Sequence, residues 1–514
     1  MARRSILGGV WRAWKRAARG VYDAVATTTS SLMGGYQALD PRRKILPRGY
    51  YLRSESANEL ASMSLPQLRA LCRKLERDNA TARAAVEGLV AQVVGTGIAL
   101  EPDHGDEQVN ARLRAVWNDY LHECDVTATR SIYDLQIQAF REVVITGEFL
   151  WRLPVMADRA ERGLVPLVVL PLEGEWLAVE PRAPLITDAD GITAVAGIEL
   201  DRWGRPVRYH LSNPEFGVAY STEKVAAAEI IHGFERRRSL QNRGEPWLAP
   251  VIERIWQEGD LVDAELRSAI NCAGLSLIFT SDYHDALDTT VQGTPEDPAQ
   301  RVPVGGIMRA FPGEDVKAFS HNRPAQQIAA FRQSLRGDIA ASSRLSQRWL
   351  DKDYSRNSYS SMRGDNLDSD RVLSPVAQWF GHATIGALYR KVLPYLCVQA
   401  DVELPKRVHY RLVPDGQAYV DPLKDAQAAI TAIAAGLSTH EEQIGKRGGD
   451  WKQVWKQQAI EKAEAERLGL TFDLSTKAPA APEPEKVTPT AADPAADPNA
   501  EPIAPGDASA GGAP

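Results

Sequence analysis

Two helical stretches, held apart by a segment that cannot be helical, limit this chain more than any other feature. From Trp247 to Ile278 the apolar residues Val251, Ile255, Val262, Leu266 and Ile270 recur at helical spacing. At a rise of ~1.5 Å per residue, a helix of that length reaches roughly 45 Å. Its other face is acidic early on, with Glu253, Glu258, Asp260, Asp263 and Glu265. Residues 281–323 are rich in Gly, Pro and Asp and predict a small loop-and-strand unit. From Pro324 a helix returns, with Ile328, Phe331, Leu335 and Ile339 in step.

The flanking regions make the expected class α+β. Leu65 to Val94 has helical spacing; Ser64 is the expected N-cap, with Pro66 close behind and Gly95-Thr96-Gly97 at the end. A nucleotide-loop reading of that GxG fails, because no third glycine follows and a helix precedes it. Residues 107–122 and 131–146 predict two more helices, the second ending near Gly147. Between 148 and 234 the runs Leu164–Leu172, Ile192–Leu200 and Val207–Leu211 are β-prone, and Asp201–Pro206 reads as a hairpin turn between the last two. A long helix is expected from Ser361 to Leu393, kinked at Pro375. Residues 421–470 read as an Ala-, Gln- and Lys-rich helical unit with turns at Gly436 and Gly448-Gly449.

The two ends differ in charge. Residues 1–53 hold eleven Lys/Arg against Asp23 and Asp40, with Ile6, Val10, Trp14, Val21 and Val25 as one helical stripe. They read as a solvated arm that packs on a neighbouring subunit. Beyond Lys477, Ala, Pro, Asp and Glu dominate and predict a disordered acidic tail. The net charge of −7 excludes a protein that coats nucleic acid tightly. It allows one that lets nucleic acid slide past, because a duplex carries one negative charge per ~1.7 Å and a strongly basic lining would hold it. Cys72, Cys124, Cys272 and Cys397 are far apart and form no zinc motif, which suits a reducing compartment. No apolar run approaches the ~18 residues that cross a bilayer, and Arg12, Lys15, Arg16 and Arg19 interrupt any signal-peptide core. No membrane is expected.

Catalytic signatures are missing. There is no GxxxxGK[ST], no GxSxG and no HExxH. His122 has Asp119 one turn before it but no second histidine nearby, and His232 reads as a strand-end residue. Asp351 and Asp353 read as part of a mobile charged loop, where little would tune a pKa. Neither a cofactor nor a metal is expected.

One segment is distinctive. Asn357-Ser358-Tyr359-Ser360-Ser361-Met362-Arg363 lies between two helical patterns and follows Arg348, Lys352 and Arg356. Hydroxyls and Lys/Arg bond phosphate oxygens whatever the base sequence, so such a loop can touch DNA without reading it. The bland reading is a polar interhelical loop.

That loop resembles the N-Y-S-S-x-R signature of the lambda-type bacteriophage portal proteins, and the likeness extends along nearly the whole chain. Arg73–Asn79 running on to Val93-Val94-Gly95-Thr96-Gly97-Ile98 is similar to the family's first helix and its end. Gly197-Ile198-Glu199 with Asp201–Tyr209, then Ile230-Ile231-His232 and Arg243–Pro250, are similar to further family stretches. Val420–Lys424, Gly436–Thr439 and Gly449-Asp450-Trp451 match its C-terminal pattern. The chain departs where Ser358 separates Asn357 from Tyr359.

The resemblance implies a ring-forming subunit with a portal fold. Its parts would be a basic N-terminal arm (1–53), a wing (54–245), a first stem helix (246–278), a clip (279–323) and a second stem helix (324–346). A tunnel loop (347–361), a long kinked helix (362–393), a helical crown (394–470) and the tail (471–514) would follow. It implies a dodecamer at one capsid vertex through which double-stranded DNA is packaged and ejected without sequence preference. The implied partners are the terminase large subunit, the scaffold and major capsid proteins and a head–tail adaptor. Arg348, Lys352, Arg356, Asn357, Tyr359, Ser360, Ser361 and Arg363 would face the DNA, and Glu253, Glu258 and Asp260 would line the channel as acidic rings. A head–tail adaptor ring and a metal-dependent DNA-processing enzyme stay open as alternatives.

Overall fold

The computed structural model describes residues 56–177, 193–212, 223–274, 277–281, 314–318, 328–353, 358–416 and 421–470. The basic arm, the acidic tail and most of the segment expected as a clip lie outside the described residues. Two compact units divide between Asp415 and Gly416, so residues 394–415 belong with the first.

The first unit begins with helix α1 (Ala57–Asp78). Its cap is Ser56 and not Ser64: the Ser56 hydroxyl accepts from Glu59 N–H while the Glu59 carboxylate reaches back, a capping box. Ser64 lies inside the helix, where its hydroxyl donates to the Leu60 carbonyl. The expected single helix to Val94 breaks at Asn79, whose backbone is extended (φ −118°, ψ 122°). The Asn79 side chain accepts from the N–H groups of Thr81 and Ala82 and so starts α2 (Ala80–Val93). Strand β1 (Ala99–Pro102), α3 (Glu107–Glu123) and α4 (Ile132–Thr146) follow, the last two close to the expected bounds.

Gly147 ends α4 with φ +92°. A Cβ there would stand 2.5 Å from the Glu245 backbone, so this crossing of two chain segments requires glycine. Strand β2 (Glu148–Arg152) lies between β3 (Leu170–Leu172) and β8 (Ile230–Phe234) in an antiparallel three-stranded sheet. The β-prone run from Leu164 thus gives only three residues of named strand. A short α5 (Ala157–Glu161) precedes it. Strands β4 (Thr193–Val195), β5 (Ile198–Leu200), β6 (Pro206–Leu211) and β7 (Glu223–Ala226) make a four-stranded meander, and the Asp201–Pro206 turn joins β5 to β6 as the sequence predicts.

A 3-10 turn (Ala249–Val251) leads into α6 (Ile252–Gly274). Strands β9 (Leu277–Ser281) and β10 (Glu314–Ala318) pair antiparallel, then come α7 (Ile328–Ser342), α8 (Gln347–Asp351) and α9 (Tyr359–Ala383). Helix α9 runs through Pro375, and the helical run is interrupted at Thr384 (φ −97°, ψ −93°), where α10 (Ile385–Ala400) starts. Strand β11 (Tyr410–Val413) returns to pair with β1.

The main core gathers α2, α3, α4, β2, α9 and α10 around aromatic contacts. Phe140 meets Phe380 at 5.0 Å and Trp247 at 5.6 Å, and Trp117 meets Tyr389 at 5.0 Å. Each such ring buries about 150–250 Å². A smaller core of Leu150, Ile198, Leu200, Tyr209, Leu211 and Val225 lies under the meander.

The second unit holds α11 (Pro422–Ala434), α12 (His440–Gly445) and α13 (Trp451–Leu468), capped by Asp421, Thr439 and Asp450. Its turns fall at Gly436 and Gly448, both at positive φ, as expected from sequence.

Candidate nucleic-acid interface

The distinctive segment is held by a chain of polar contacts that starts on α6. Glu258 accepts from the Thr81 hydroxyl at 2.6 Å, from Arg332 at 2.8 Å and from Arg336 at 2.7 Å. Burial alone would raise its pKa; the hydrogen bonds from Thr81, Arg332 and Arg336 outweigh that and hold it below the usual range. Arg336 also pairs with Asp351 at 2.9 Å, and the Gln347 amide donates to the same carboxylate. From the same helix, Arg348 pairs with Asp365 at 3.1 Å and donates to Asn366 on α9. Helix α8 is therefore pinned to α6 and α7 through Asp351 and to α9 through Arg348. Arg344, just before it, pairs with Glu235 at 2.9 Å and covers the Trp247 ring at 4.4 Å.

This geometry sorts the residues expected to face DNA. Arg348 is corrected: its side chain is 10% exposed and engages α9, so it holds the segment and does not offer a phosphate contact. Asp351 is corrected as well: it is not in a loose loop but ends α8 as Arg336's partner. Lys352 is exposed, takes φ +55° at the end of α8, and sets its ammonium 4.4 Å from the Trp349 ring. Arg356 and Asn357 lie outside the described residues. Ser358 caps α9, with its hydroxyl accepting from Ser361 N–H. Tyr359, Ser360, Ser361 and Arg363 thus belong to the first turns of a helix instead of a loop, and Ser360, Ser361 and Arg363 are exposed there. A helix start leaves unpaired backbone N–H groups and a partial positive charge, which suits phosphate beside basic side chains.

The acidic set divides too. Glu253 and Asp260 are exposed on α6. Glu258 is corrected: it is 2% exposed and neutralised by two arginines, so it lines no surface. Arg332 and Arg336, one turn apart on α7, were not singled out from sequence, because their partner Glu258 lies 74 and 78 residues before them.

A second carboxylate fixes the sheet region to the entry of α6. Glu148 on β2 meets Arg69 at 2.8 Å, Arg243 at 2.7 Å and His232 at 3.1 Å, and accepts from Gly244 N–H at 2.9 Å. Burial opposes its charge, but Arg243, Arg69 and His232 prevail and keep its pKa well below the usual range. His232, expected at a strand end, sits in the middle of β8 as part of this cluster.

Among the described residues no three His, Cys, Asp or Glu side chains are placed to hold a metal ion, and no helix is long and apolar enough to cross a membrane.

The model of the phage portal protein family, lambda type, matches residues 46–375. The chain belongs to that family. The match spans α6, α7, α8 and α9 as far as Pro375. The portal protein of Escherichia phage N15 is 24% identical over 486 residues, covering 82% of this chain and 89% of that one. Portal protein B of Escherichia phage lambda is 25% identical over 315 residues, covering 54% of this chain and 59% of its own. A chain from the neck of an empty GTA particle computed with C6 symmetry overlays with a TM-score of 0.49 at 14% identity, covering 78% of this chain and 94% of that chain.

Proposed function

We propose that this chain is one subunit of a dodecameric ring at a single capsid vertex, the conduit through which double-stranded DNA enters and leaves the head. The observation that carries the reading is the family match, whose bounds, 46–375, take in the stem pair and the segment after it. In this reading residues 54–245 form the wing, 246–278 and 324–346 the stem, 279–323 the clip, 347–361 the tunnel segment, 362–393 the long helix and 394–470 the crown, whose first residues, 394–415, fall within the first compact unit.

A ring repeats every charge around its axis. Exposed Glu253 and Asp260 on the stem would become negative bands that repel phosphate and keep DNA from sticking. Lys352, Arg356 and Arg363, with the hydroxyls of Tyr359, Ser360 and Ser361, would form a positive band with weak, sequence-independent grip. Arg348 and Asp351 set the pitch of that band against the stem. The work of translocation falls to the terminase large subunit docked on the ring; no catalytic step is assigned to the portal. Scaffold and major capsid proteins would meet the ring during assembly in the host cytoplasm, and a head–tail adaptor would follow after packaging.

Electron microscopy of the purified protein in negative stain tests this. Class averages should show rings with a central channel. Compact monomers at every salt concentration would overturn it.

A further inference from the structure

The β5–β6 turn is a rigid tip. The Asp201 carboxylate accepts from the N–H groups of Trp203 and Arg205, both at 2.8 Å, and Gly204 takes φ +76° to close the turn. The tip carries Trp203 out into solvent, 70% exposed, with the Arg202 guanidinium 5.2 Å from its ring and exposed Arg205 beside it. A large aromatic held this firmly in water gains nothing for the fold of its own chain. Rigid Trp residues flanked by Arg are the usual anchors of protein interfaces.

The same unit carries a matching recess. A half-open cavity of about 550 Å³ lies where the end of α3 meets the turn after α5. Val116, Leu164 and Val165 give it apolar walls, and Asp119 and Glu123 give it an acidic rim. Tyr120 is buried at its floor, and the Tyr120 hydroxyl has no hydrogen-bond partner. Arg159 already pairs with Glu123 at 3.3 Å, which leaves Asp119 as the carboxylate open to an incoming cation.

We propose that the Trp203 tip of one subunit docks into the Tyr120 cavity of a neighbouring copy of this chain. The indole ring would lie against the apolar walls of Val116, Leu164 and Val165, and Arg202 would meet Asp119. Tip and cavity are different surfaces of one chain, so the contact is head-to-tail and closes into a ring when the rotation permits. The inference rests on the ring reading above and supplies one of its subunit contacts.

The test uses full-length chains. R205C chains are mixed with H122C chains, which keep Trp203 and the apolar walls, then assembled and treated with a short bis-maleimide. Only a contact between copies can join the two. The described native thiols Cys72, Cys124 and Cys397 are buried, and mixtures of each variant with wild type give the background. Expected is a covalent dimer in the ring fraction, well above background. A second variant, Trp203→Ala, should keep the monomer's circular dichroism and raise the concentration needed for ring formation at least tenfold. Rings that form without the cross-link, or W203A rings that form at the wild-type concentration, overturn this contact and leave the ring reading standing. A chain that never associates overturns both.

Discussion

Glu148 and Glu258 are both buried glutamates gripped by two arginines, yet their settings differ. Around Glu148 everything is sealed: Arg69 and Arg243 are as buried as the carboxylate, and His232 and the Gly244 N–H complete its shell. Around Glu258 the shell opens to water, with the Arg332 side chain 42% exposed and Arg336 22%. A sealed cluster changes only when the surrounding fold opens. A half-solvated one can exchange an arginine for water at small cost. The first ties the sheet region to the entry of α6; the second strings α2, α6, α7 and α8 together. The difference separates a fixed frame from an adjustable joint.

The sharpest way to break that contrast is Glu148→Gln. It leaves two buried guanidiniums without a counter-charge and should cost about 3–5 kcal/mol, read as a lower urea midpoint. The pH dependence follows from the same group. The folded Glu148 pKa lies well below its unfolded value, so its contribution is complete above about pH 4.3 and is lost as pH falls toward the folded pKa. Acid should therefore destabilise the wild type in that window, and E148Q should lack that part of the slope. A midpoint unchanged in E148Q would show that the cluster is not the frame.

Glu258→Gln should do less. Its partners reach water, so a loss of about 1–3 kcal/mol is expected, confined to one region. Hydrogen exchange should speed up in α7, in α8 and in the first turns of α9, while β2 and α4 keep their protection. Equal acceleration everywhere would erase the distinction between joint and frame.

Local signals carried most of the architecture. The periodicity of 107–122 and 131–146, the Asp201–Pro206 turn and the glycines that end helices were all legible, because each depends on neighbours in sequence. Ser56 and Asn79 were missed as caps, although both carry the residue types that caps need, because the apolar pattern ran on past them. The long helix expected to reach Leu393 is interrupted at Thr384, where no proline or glycine marks the break in sequence. The site was legible by type and not by role. Arg348 and Glu258 looked like surface charges because their partners, Asp365 and Arg336, lie 17 and 78 residues away, and no spacing rule joins such pairs. Lys352, Ser360, Ser361 and Arg363 are exposed.

The most direct test is the DNA content of heads assembled with the double variant Lys352→Ser and Arg356→Ser, leaving Arg348 to hold α9. Rings and empty proheads should be normal, and packaged DNA length or retention should fall measurably below wild type. Wild-type content with wild-type retention would contradict a role for the 347–363 segment in moving or holding DNA and would leave it as a polar connection between two helices.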